Sequence, residues 1–143
     1  MKTIALLLAF LTGSVLFAQS ETNDSRKPGT IHVTIPNVSS DQGEVLLALY
    51  QKENFLSHAP KFHAMSKIEN GVADATFENV PEGTYAIVLY HDKNGNKQMD
   101  FDTNGMPLED YGGSGNAMSY GPPNWEDCKF DFHQEKLEME IRL

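Results

Sequence analysis

The sequence predicts an all-β domain: a single antiparallel β-sandwich of about seven strands, Greek-key or transthyretin-like, with one long Gly/Asn/Asp/Pro-rich loop. Three observations predict it. Short apolar stretches alternate with polar residues at period two. Asn-Gly and Pro-Glu-Gly turn signals stand between them. No stretch sustains a helical period.

The first strand is read at Ile31, Val33 and Ile35, which alternate with His32 and Thr34 and stop at Pro36. Ser39-Ser40-Asp41-Gln42-Gly43 is a turn. Residues 45–50 form a continuous apolar run, as expected for a strand covered on both sides or at an edge of the core. Residues 51–63 break the alternation with Phe55, Leu56, Pro60 and Phe62, and read as a loop with at most one helical turn. Residues 65–69 and 72–77 then flank Asn70-Gly71, the pair preferred in type I′ hairpin turns because both positions take φ > 0. Val80-Pro81-Glu82-Gly83 turns the chain into a strand over 84–91. Residues 92–127 show no sustained period, and so long a connection is expected to be functional or organised by a ligand. The chain closes with a strand at 129–132, a polar turn at 133–135, and Leu137, Met139, Ile141 and Leu143 alternating with charged residues. Neither a repeat nor a second domain is visible.

The N-terminus sets the expected compartment. Lys2, an apolar stretch over 4–11 and Leu16-Phe17-Ala18-Gln19 have the layout of a signal peptide cleaved after Ala18. Thr12, Gly13 and Ser14 interrupt the stretch, which is too short for a good membrane span, and no Cys lies there to take a lipid. The expected organisation is a signal peptide at 1–18, a disordered leader at 19–28 and the folded domain at 29–143. The product would be periplasmic or secreted, and monomeric.

Eleven Lys and Arg against 20 Asp and Glu give a formal net charge of −9, and loss of Lys2 makes it more negative. That balance argues against nucleic acid and anionic membrane surfaces as partners. Cys128 is the single cysteine, so an internal disulfide is excluded and stability must come from the core and any bound metal.

The chemistry is concentrated at His91-Asp92-Lys93-Asn94-Gly95-Asn96-Lys97-Gln98-Met99-Asp100-Phe101-Asp102. Asp92, Asn94 and Asn96, followed by Asp100 and Asp102, put side-chain oxygens at alternate positions, and a hard cation such as Ca²⁺ takes about six to eight of them. The EF-hand pattern fails where Lys97 replaces its Gly and Thr103 its final Glu, and no amphipathic helix precedes the loop. A helix–loop–helix is thereby excluded. The expectation is a Ca²⁺ loop on a β scaffold, with Asp92, Asn94, Asn96 and Asp100 as first ligands and Asp102 and Glu109 as supplements. The competing reading is that these Asp and Asn residues make Asx turns, capping their own backbone.

Enzyme chemistry is not expected. His91 and Asp92 are neighbours on a strand and point to opposite faces. Gly112-Gly113-Ser114-Gly115-Asn116 has its glycines at the wrong offsets for a nucleophile elbow, and Cys128 beside a strand reads as a buried thiol. His32, His58, His63, His91 and His133 form no zinc spacing. The alternative to the cation loop is a carbohydrate- or peptide-binding module, with Tyr111, Asn116 and Trp125 offering rings and an amide to a protein or glycan partner.

Val80-Pro81-Glu82-Gly83-Thr84-Tyr85-Ala86, then His91-Asp92-x-Asn94-x-Asn96, then Gly105-x-Pro107-x-Glu109-x-Tyr111-Gly112-x-Ser114 carry a family resemblance. From about Gly29 onward the chain resembles the bacterial exported family catalogued as domain of unknown function 2141. That resemblance implies a fold and brings no activity with it. Asp110 stands where the family pattern leads one to expect Gly, and Gly113 where it leads one to expect Phe. The Pro-x-Gly-x-Tyr turn is also similar to transthyretin-like and carboxypeptidase-regulatory-like sandwiches, which bears on fold alone.

Overall fold

A computed structural model describes residues 27–57, 59–117 and 121–143, so the expected signal peptide and most of the leader lie outside the described residues. Eight strands follow one another: β1 (Gly29–Ile35), β2 (Glu44–Tyr50), β3 (Phe62–Glu69), β4 (Val72–Val80), β5 (Gly83–Asp92), β6 (Tyr111–Gly113), β7 (Lys129–Phe132) and β8 (Lys136–Glu140). Helix is confined to a 3₁₀ turn at Lys52–Asn54 and a single turn, α1, at Trp125–Cys128. The strands lie in the order β6-β5-β2-β3-β4-β1-β8, with β7 also paired to β5, in one strongly curled half-barrel sheet. The expected all-antiparallel arrangement is corrected at one place, because β8 runs parallel to β1, with Ile31 opposite Leu137 and Val33 opposite Met139. A return from β7 at the far end of the sheet brings β8 in alongside β1 in the same direction.

Period-two patterning forms these elements. Ile31, Val33 and Ile35 of β1 are fully buried, with half-exposed neighbours between them. The apolar run of β2 was expected to be covered on both sides or to lie at the core's edge. Val45, Leu47 and Leu49 face inward, whereas Leu46 and Ala48 stay half-exposed, because the curl gives the sheet one dry face. Val38, Ile68, Ala73, Ala75, Phe77, Val80, Tyr85, Ile87, Leu89, Phe132 and Ile141 complete the core. Burying one large aliphatic or aromatic side chain contributes about 1.5–3 kcal/mol, so this inner face holds the sheet together.

Two devices curl it. β3 gives residues 62–67 to β2 and its last two, Ile68 and Glu69, to β4, so the sheet turns along that strand. The expected hairpin then follows, with Asn70 at φ 53° and Gly71 at φ 74°. Asp41 caps it by accepting from the backbone N–H groups of Asn70 and Gly71 at 3.1 and 2.7 Å.

At the opposite side the sheet's two ends meet without a ladder. A Cβ on Gly112 would lie 2.1 Å from the Arg142 carbonyl, so only glycine lets β6 approach the C-terminal segment this closely. Asn116 fastens the junction, donating to the Glu140 carbonyl at 2.9 Å and accepting from the Arg142 N–H at 2.8 Å. Ser114, 2 % exposed, joins β5 to the end of α1 by accepting from the Ile87 N–H and donating to the Cys128 carbonyl.

Candidate functional site

β5 ends in Asp92, and the chain then builds a lobe over 92–110 before returning as β6. The lobe is held by its own carboxylates. Asp92, 1 % exposed, accepts from the N–H groups of Gly95 and Lys97, each at 2.8 Å, with one oxygen apiece. Glu109, 6 % exposed, accepts from Lys93 N–H at 3.1 Å and Asp100 N–H at 3.2 Å. Asp102 accepts from Asn104 and Met106 N–H groups at 2.8 Å and closes the outer turn.

Three of the expected ligands converge. Asn94 Nδ2 lies 2.6 Å from one Asp100 oxygen, and Asn96 Nδ2 lies 2.9 Å from both. The Oδ1 atoms of Asn94 and Asn96 accept from Asn96 and Gln98 N–H groups, each at 2.9 Å. An amide oxygen has two lone pairs, so each keeps one after making this bond. Asp92, Asp102 and Glu109 are not part of this convergence; they frame it. Among the described residues no three His, Cys, Asp or Glu side chains come together as a metal site. The cluster therefore consists of one carboxylate and two amides.

The field of the lobe is negative. The phenol of Tyr90, on β5 beneath it, is pushed up to about 12 by burial first and then by Asp92 and Glu109, with smaller effects from Tyr50 and Asp100. Asp110 is the counter-case. A hydrogen bond from Ser39 Oγ at 2.7 Å, then one from Lys93 Nζ at 3.0 Å, hold its carboxyl below the usual range.

His91 and Asp92 do not pair. His91 is fully buried and its Nε2–H donates to the Gln42 carbonyl at 2.6 Å, while Nδ1 has no partner among the described residues. Sequence reasoning missed this histidine's contact and the Ser39–Asp110 bond, because both join the lobe to the distant 39–43 turn.

The alternative residues divide. Tyr111 and Asn116 line a groove of about 620 Å³ at the junction of β6 with the C-terminal segment, together with Asn124, Asp127 and Arg142. Trp125 is not among its walls; its ring sits edge-on to Phe55 at 5.7 Å, and Phe55 sits edge-on to Tyr50 at 5.7 Å. Asn116 already uses both ends of its amide, and Tyr111 donates to the Gly121 carbonyl at 2.8 Å. Cys128 is buried, its sulfur against Gly113. His58 lies outside the described residues. No helix among the described residues is long and apolar enough to cross a membrane.

Residues 33–140 match the family model for an uncharacterized protein conserved in bacteria (DUF2141). No curated protein and no solved structure matches the chain.

Proposed function

We propose, from the premise that the chain belongs to the DUF2141 family, an exported, non-enzymatic β-domain whose 92–110 lobe takes up a hard cation, Ca²⁺ first. The observation that carries it is the convergence of Asn94 and Asn96 on Asp100 at 2.6–2.9 Å. The two amide N–H groups give Asp100 the positive partner it needs, and a cation would take over that role. Asn94 and Asn96 would turn oxygen toward it, and Asp92 and Glu109 would keep the loop's curvature through their bonds to its backbone. With amides in place of carboxylates the affinity should be modest, in the extracellular range of about 10⁻⁴–10⁻³ M. We also read the curled sheet as a relative of the expected sandwich, since β3 divides it into two leaves that share one core.

Thermal melts of wild type and Asp100→Ala, each with millimolar Ca²⁺ and with chelator, test the cation reading. A Ca²⁺-dependent rise in wild type that Asp100→Ala abolishes supports it. The same difference between the two proteins in both conditions leaves only self-capped turns.

The second reading, a carbohydrate- or peptide-binding surface, is favoured by one observation: Tyr111 and Asn116 share a concave groove. Saccharide or peptide titrations that perturb Tyr111, and fail with Tyr111→Ala, would support it.

A further inference from the structure

β6 is an edge strand, paired with β5 along one side only. The bonds from His91 N–H to the Asp110 carbonyl and from Ser114 N–H to the Ile87 carbonyl, each 2.9 Å, fix the phase of that ladder. Bonded and non-bonded pairs alternate along an antiparallel ladder, so Gly112 faces Leu89, while Tyr111 and Gly113 turn their backbone groups away from β5. The Gly113 carbonyl accepts from the Asn116 N–H at 3.1 Å. The Tyr111 N–H, the Tyr111 carbonyl and the Gly113 N–H have no partner among the described residues. All of β6 is half-buried and lines the groove of about 620 Å³, a size ordinary for a ligand cleft. Successive strand residues point to opposite faces. A Cβ on Gly112 would meet the Arg142 carbonyl and one on Gly113 the Cys128 sulfur, so a wall stands on each face of the open edge.

We propose that this slot takes an extended segment of another polypeptide, which adds to β6 as a further strand and carries a Lys or Arg beside α1. The proposal rests on the second reading, that the groove binds a ligand, and commits that ligand to peptide. Hydrogen bonding selects it. A residue opposite Tyr111 would exchange both backbone bonds with it, and the carbonyl two residues before would accept from the Gly113 N–H. A saccharide has no donor–acceptor repeat of that spacing. A second copy does not fit, because its own β6 edge is recessed between the same two walls and the two edges cannot meet. Charge adds the basic residue. Glu140 and Arg142 pair with one another. Asp127 is exposed, its carboxylate is met by the Asn124 amide, and no Lys or Arg pairs with it among the described residues.

The test is amide exchange by NMR on ¹⁵N-labelled protein in chelator, with an end-blocked peptide of alternating Thr and Val and one central Lys as the probe. In the free protein the Gly112 N–H should exchange slowly and those of Tyr111 and Gly113 fast. Saturating peptide should slow the latter two about tenfold or more and leave Gly112 unchanged. The same peptide N-methylated throughout should bind at least about tenfold more weakly, and one with Glu for Lys roughly two- to fivefold more weakly. Binding that shifts the Tyr111 ring but leaves its amide unprotected, or that N-methylation does not weaken, would overturn strand addition while the groove reading stands. Equal binding by the Glu peptide would overturn the basic residue. Binding of saccharide in place of peptide would overturn the choice of ligand, and no binding of either would remove both readings. Protection that grows with protein concentration alone would make the occupant a second copy and overturn the proposal.

Discussion

Asp92 and Glu109 commit all four of their carboxylate oxygens to backbone N–H groups of the loop that separates them: Asp92 to Gly95 and Lys97, Glu109 to Lys93 and Asp100. One residue ends β5 and the other stands two before β6, so the pair closes the lobe at its base.

Removing one end of this clasp should loosen the whole lobe. Asp92→Ala is expected to cost about 1–2 kcal/mol, in the range of a lost acidic cap. Urea unfolding measures it, and amide exchange should accelerate at Gly95 and Lys97 while the β1, β2 and β4 amides stay protected. Because both carboxylates brace one loop, Asp92→Ala and Glu109→Ala should be non-additive by about 0.5 kcal/mol or more in a double-mutant cycle.

Ser114→Ala should be costly for a single oxygen atom. The hydroxyl lies between the Ile87 N–H and the Cys128 carbonyl in a buried position, and its loss strands both groups. An unsatisfied buried polar group costs about 1–3 kcal/mol. Denaturant melts should register that loss. A variant as stable as wild type would show that the backbone re-pairs without the hydroxyl.

The Asp110 carboxyl ionises below its ordinary 3.8 because Ser39 and Lys93 stabilise its charged form. A lowered folded-state value means the contribution is present above the unfolded-state value and is lost as pH falls through the lower folded one. Wild type should therefore exceed Asp110→Asn in stability at neutral pH, with the gap closing below 3.8. The pair is partly exposed, so the gap should be about 0–1 kcal/mol. Melts across pH 2–7 check it.

Tyr90 is a built-in sensor of the lobe's charge. Its raised ionisation, up to about 12, stabilises the fold below the phenol's ordinary 10.0, and that contribution is lost as pH rises from there through about 12. Part of the rise comes from Asp92, Glu109 and Asp100, so a cation seated at Asp100 should lower the midpoint. The ultraviolet phenolate difference between wild type and Tyr90→Phe, with and without Ca²⁺, reads it directly.

The strands were legible because alternation is local: Ile31, Val33 and Ile35, or Asn70 with Gly71, announce themselves within a few residues. The parallel docking of β8 was not, since the register of Ile31 with Leu137 is set by packing across the whole chain. Within the lobe, sequence reasoning named Asn94, Asn96 and Asp100 among its candidate ligands by their spacing, but it grouped Asp92 with them, and the folded loop sets Asp92 apart. The separation of Asp92 and Glu109 as framing residues does not follow from spacing, because it depends on which backbone N–H groups the folded loop turns inward. Trp125 read as a ligand platform for a similar reason: nothing in the sequence reveals that Phe55, from a distant loop, lies edge-on against it.

The most direct test of the lobe as a cation site is calorimetric titration of wild type and Asp100→Ala with Ca²⁺ at neutral pH. Saturable heat with a dissociation constant of about 10⁻⁴–10⁻³ M in wild type, absent in Asp100→Ala, is the expected result. No heat up to about 10 mM Ca²⁺, or equal heat in both proteins, would contradict it and leave the lobe a loop capped by its own side chains.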